Sequence, residues 1–145
     1  MTIAECYRRV SNAADGYDSA VDFIFADEGF VKLMTDLEKE RLFSGQNADG
    51  SWVEPPYTPF TVELKEEKGQ PTDRVTLKDT GDFYEGFIVE RKGDVVIFTS
   101  TDWKTNALVE KYGDAIFGLS TFDQVDTWEA SLHLIIQWFK RETGL

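Results

Sequence analysis

The sequence predicts an α+β fold, and three observations carry that expectation. Apolar residues recur at helical spacing through the first third of the chain. From Arg74 to Thr101 the pattern changes to short β-rich runs separated by turn residues. A long helical pattern then closes the chain, from Phe122 to about Glu142. N-terminal helices, a small antiparallel β-sheet with a hairpin and a long C-terminal helix define that class. At 145 residues, with 41% hydrophobic and 14% aromatic side chains, residues 1–145 are expected to form a single domain with an ample core.

Each element has a local reason. In "TIAE", Thr2 fits an N-cap and Glu5 the returning partner of a capping box. Ile3, Cys6, Tyr7, Val10, Ala13 and Ala14 follow at helical spacing up to Asp15-Gly16. A second helical region covers about Asp18 to Phe43, with a stripe of Phe30, Val31, Met34, Leu37, Arg41 and Leu42. Gly45 is its natural stop, and Gly29 is a point at which it can divide. Asn47 to Ser51 reads as a turn, because Asn, Asp and Gly tolerate unusual backbone angles. Pro55-Pro56 forces an extended path, and Thr58-Pro59 fits the N-cap and first residue of a short helix. That helix should run to about Lys68 and end at Gly69, with Phe60 and Leu64 facing inward. Val75 to Leu77 fits a short strand, and Asp79 to Phe83 a turn or single helical turn. Phe87–Arg91 and Val95–Thr99 should pair as a hairpin across Lys92-Gly93-Asp94. "TNALVEKYGD" reads as a helix stopped by Gly113. The last helix, roughly 30 Å long, carries Val125, Trp128, Leu132, Ile135, Ile136 and Phe139 on one stripe.

The chemistry in the sequence is mostly a matter of what is missing. With 27 acids against 15 bases the formal net charge is −12, which opposes binding nucleic acid by phosphate neutralisation. The acids are mixed with lysines ("ELKEEK", "VERKGD", "VEKYGD"), the pattern of a solvated surface. A single cysteine, Cys6, excludes an internal disulfide and reads as a buried structural thiol. No Cys/His cluster has metal-binding spacing, and "NADGSW" fails the frame of a calcium loop. The lone histidine, His133, falls in mid-helix and reads as solvated or packed. No serine-nucleophile frame or Gly-rich phosphate loop is present. "DTG" at Asp79–Gly81 lacks the flanking strands and follow-on residues of an aspartic-protease loop. The expectation is therefore a protein that is not an enzyme and has no catalytic residue, cofactor or metal. No secretion signal is visible at the N-terminus, and no apolar run approaches the length of a membrane span.

One longer pattern remains. It runs through Phe43, Gly45, Asp49-Gly50, Trp52, Pro55-Pro56, Tyr57 and Thr61, continues with Lys65 and Lys68, and ends on Leu77, Asp79, Thr80, Gly81 and Phe83. In order and spacing this resembles bacteriophage virion-morphogenesis and tail-completion (head-tail neck) proteins, over about a third of the chain. It departs from them in carrying Glu63, Glu66 and Glu67 where the family is more basic, and Phe83 where Leu is commoner. The resemblance implies a structural protein of the virion neck or tail, made in the host cytoplasm. It would assemble as a homo-oligomeric ring with portal, connector or tail proteins, with DNA passing through but not specifically bound, and without a membrane. It also implies an interaction loop at about 44–58, formed by Asn47, Asp49, Gly50, Trp52, Pro55, Pro56 and Tyr57. Stiff turn and proline residues would lower the ordering cost of binding there. Asp79, Thr80 and Gly81 would form a structural turn. The competing expectation is an acidic inhibitor that mimics DNA and occupies a host protein.

Overall fold

A computed structural model describes residues 1–145. The fold class is α+β, with seven α-helices, one 3-10 turn and a two-stranded antiparallel sheet. The helices are α1 (Ile3–Ala14), α2 (Tyr17–Phe25), α3 (Glu28–Phe43), α4 (Pro59–Glu67), α5 (Asp82–Glu85), α6 (Thr105–Tyr112) and α7 (Thr121–Thr143). Strands β1 (Phe87–Lys92) and β2 (Val95–Ser100) lie between α5 and α6. The chain divides into two compact units, one formed by Met1–Leu33 with Val125–Leu145, the other by Met34–Gln124.

The first unit is helical. Thr2 caps α1 by accepting from the Glu5 N–H at 3.1 Å, and Glu5 pairs one turn on with Arg9 at 2.7 Å. Its core contains Ala13, Ile24, Phe30, Leu134 and Trp138, with Phe25 meeting Phe30 edge-on at 5.6 Å. The Trp138 indole N–H donates to Ser19 Oγ at 3.2 Å, which satisfies its polar edge inside the core. Gly16 lets that ring approach, since a Cβ there would stand 2.9 Å from Trp138 Cζ2. Cys6 is free and half-buried. The division between α2 and α3 falls at Ala26-Asp27 rather than at Gly29. Asp27 Oδ1 accepts from the Phe30 N–H at 2.8 Å, so a capping side chain starts α3 and Gly29 lies within its first turn.

The second unit holds the sheet and an aromatic core. β1 and β2 pair from Phe87↔Ser100 to Lys92↔Val95, leaving a two-residue turn in which Gly93 takes φ +60°. Leu42, Val53, Val75, Phe83, Tyr84, Phe87 and Ile116 form the buried cluster. Phe83 packs edge-on against Phe87 at 5.0 Å, and Tyr84 stacks on Phe87 at 5.4 Å. Val75–Leu77 is not a strand. The Thr76 and Leu77 N–H groups donate to the Tyr57 hydroxyl at 3.0 and 3.3 Å, and Leu77 takes φ +55°, outside the extended region.

Two expected apolar faces are reversed. In α4 both Phe60 and Leu64 are exposed, and the buried position is Lys65, whose ammonium reaches carbonyl oxygens. In α7 the residues Val125, Trp128, Leu132 and Ile136 are exposed, with Ile135 and Phe139 half-buried. The buried line there is Ser131, Leu134 and Trp138.

Candidate functional site

The segment after α3 is a closed loop with a fixed base. Gly45, at φ +81°, turns the chain out of the helix, and its carbonyl accepts from the Val53 N–H at 2.8 Å. Between these ends Gln46 and Trp52 form an antiparallel bridge, and the Asn47 N–H donates to the Ser51 carbonyl at 2.8 Å. At the tip Gly50 takes φ +86°, and Asp49 Oδ1 accepts from the Ser51 N–H at 2.9 Å. Hydrogen bonds from the Ser51 hydroxyl and amide hold the Asp49 carboxyl below its ordinary value. The loop also joins a second segment of this unit, since the Ala48 N–H donates to the Ala115 carbonyl at 2.8 Å.

Beneath the loop lies a polar brace from α3. The Arg41 guanidinium donates to the carbonyls of Gln46 at 2.7 Å, Ile116 at 2.9 Å and Gly118 at 3.1 Å. One side chain thus ties the start of the loop to the segment after α6. Glu38, one turn earlier and fully buried, accepts from the Gly118 N–H at 3.0 Å through Oε1, while its Oε2 has no partner. Burial raises the Glu38 carboxyl from 4.5 to about 7, against the smaller opposing effects of the Gly118 hydrogen bond and the Arg41 charge. Arg41 and Asn47 also wall a cleft of about 410 Å³ with Leu37, Gln46, Phe122 and Asp123.

The predicted loop residues separate into two groups. Asn47 is buried and Tyr57 half-buried. The Asn47 amide donates to Ser51 Oγ at 3.1 Å and the Trp52 carbonyl at 3.3 Å, while the Tyr57 hydroxyl accepts from the segment before α5. They anchor the loop from inside. Asp49, Gly50, Trp52, Pro55 and Pro56 are exposed, and the Glu54-Pro55 peptide is cis. Trp52, Val53, Pro56, Tyr57, Arg74 and Val75 line a groove of about 210 Å³ beside the tip. This exposed rim is what a partner can reach.

Asp79, Thr80 and Gly81 lie at the start of α5. Gly81 is its N-cap at φ +96°, and Thr80 Oγ1 accepts from the Asp82 N–H at 3.4 Å. Asp79 pairs with Lys68 at 2.7 Å, and its carbonyl accepts from the Gln70 side chain at 2.9 Å. The Lys68 hydrogen bond leads the effects that lower the Asp79 carboxyl. Sequence reasoning missed the Glu38–Arg41 brace, although a charged pair three apart in an apolar stripe was its visible sign. It also missed the exposed Trp103 and Phe122, which carry no spacing signal of their own.

No three of the His, Cys, Asp and Glu side chains gather as a metal site, and no helix is long and apolar enough to cross a membrane. Comparison with protein-family models, curated proteins and solved structures returns no match.

Proposed function

We propose that this protein is a non-enzymatic structural subunit of a bacteriophage particle, placed at the head-tail neck or tail end. In this reading it forms a completion, terminator or connector ring with other virion proteins around the DNA channel. One observation carries the assembly part. Three of the four tryptophans are open to solvent, Trp52 at 62%, Trp103 at 87% and Trp128 at 60%, while only Trp138 serves a core. Exposed tryptophan is the residue type most concentrated in binding hot spots, and a soluble subunit gains nothing by leaving it wet.

The loop geometry supports the same reading. Its base is hydrogen-bonded closed and braced by Arg41, so Trp52 and the prolines stand on a largely ordered support. Less freedom is then lost on docking. The phage assignment rests on the resemblance running from Phe43 to Phe83. A net charge of −12 suits a ring whose lumen must pass DNA without gripping phosphates. The second reading is an acidic inhibitor mimicking DNA, against which the lysines interspersed among the acids argue. That complex would loosen as salt rises, whereas apolar assembly tolerates salt.

The test is the protein content of purified particles made with the wild-type chain and with a Trp52→Ala, Trp103→Ala variant. The wild-type chain should be a stoichiometric component, and the variant should accumulate folded in the lysate but be depleted from particles. A chain abundant in lysate and absent from wild-type particles removes the reading.

A further inference from the structure

Lys65 is a buried charge without a carboxylate partner. Only 8% of the residue is exposed. Its ammonium donates to Gln70 Oε1 at 3.3 Å and to the Lys78 carbonyl at 3.2 Å, and lies 4.9 Å from the centre of the Tyr57 ring. These partners are neutral, and an ammonium has three protons to donate. Asp79 feels the charge of Lys65 but is committed to Lys68 at 2.7 Å. An ammonium whose hydrogen-bond partners are all neutral is the natural seat for a carboxylate, since a charge-assisted hydrogen bond is stronger than a neutral one.

Lys65 stands in the wall of a cleft of about 230 Å³. Lys104 and Thr80 also line it, together with the apolar side chains of Leu77, Phe83 and Leu108. A third lysine, Lys78, lies over the rings of Tyr84 and Phe43 at 5.6 and 5.5 Å. Asp79 is the one acid in the lining, in a chain where acids outnumber bases 27 to 15. A lining with lysines beside apolar side chains suits a carboxylate carried on an apolar stem, not a bare inorganic anion.

We infer that this cleft receives an acidic side chain of a partner protein, flanked by an apolar neighbour. The inference rests on the assembly reading only for the source of the carboxylate. The experiment is a ¹H–¹⁵N NMR titration of the whole chain with three probes: blocked Leu-Glu-Leu tripeptide, its Leu-Gln-Leu counterpart, and inorganic phosphate. The glutamate peptide should give saturable shifts at Thr80, Lys104 and Leu108, with the glutamine peptide and phosphate each at least about tenfold weaker. Lys104→Gln, at a position that leaves the core intact, should weaken the glutamate peptide about tenfold with an unchanged melting temperature. The inference is overturned by an absence of saturable shifts, by equal binding of the two peptides, by tighter binding of phosphate, or by an indifferent Lys104→Gln. Any of these leaves particle incorporation untouched, so failure here is distinct from failure of the assembly reading.

Discussion

Replacing Glu38 with Gln tests the brace beneath the loop through the pH dependence of stability. The Glu38 carboxyl rises from 4.5 to about 7 on folding because burial penalises its charged form. The folded state therefore holds this proton more tightly than the unfolded state. Stability from this group is full below pH 4.5 and is lost as pH rises through about 7. At about 1.4 kcal/mol per unit, the full contribution is about 3 kcal/mol, most of which should be lost between pH 5 and pH 8. Asp49 and Asp79 are lowered instead, so what they contribute is present at higher pH and lost on acidification below the ordinary aspartate range. They leave the window from pH 5 to 8 to Glu38. Urea unfolding across that window should show wild-type stability falling as pH rises, and a much flatter profile in Glu38→Gln, which keeps the acceptor for Gly118. A flat wild-type profile, or an equal slope in the variant, would refute the assignment of a buried, proton-holding carboxyl.

Other substitutions separate packing from backbone and surface effects. Gly16→Ala places a Cβ 2.9 Å from Trp138 and should cost about 1–3 kcal/mol in thermal or urea unfolding. Gly81→Ala meets no atom within 4 Å but must hold φ +96°, so its cost should be nearer about 1 kcal/mol, read in the same assay. Tyr57→Phe removes the oxygen that accepts from Thr76 and Leu77 and should cost about 1–3 kcal/mol, with amide exchange of those two residues accelerated. Trp103→Ala, at 87% exposure, should change unfolding free energy by less than about 0.5 kcal/mol.

How much of this structure the sequence discloses depends on the kind of signal. Caps and stops are local, so Thr2, Thr58 and Gly113 mark helix ends where the structure has them. The hairpin follows from two β-rich runs around Gly93. Gly29 is the conspicuous breaker between α2 and α3, but the break falls earlier, where Ala26 ends α2 and Asp27 caps α3 through its side chain. Periodicity identifies a helical face but not the side to which it is turned. Thus α4 buries Lys65 and exposes Phe60, and α7 buries Leu134 and Trp138 while Val125, Trp128, Leu132 and Ile136 remain wet. Those inversions leave apolar side chains of α4 and α7 in solvent. The loop was visible as turn chemistry. Its division into buried anchors, Asn47 and Tyr57, and an exposed rim around Trp52 depends on tertiary hydrogen bonds that no local pattern encodes.

In the proposed reading this chain is built into a virion at the neck or tail. The decisive measurement is immunogold electron microscopy, with antibody to the protein on intact and tail-disrupted particles of the phage or prophage that encodes it. Gold is expected at the neck or tail end of one or both preparations. Particles that carry no gold in either, from cells in which the protein accumulates, would contradict it.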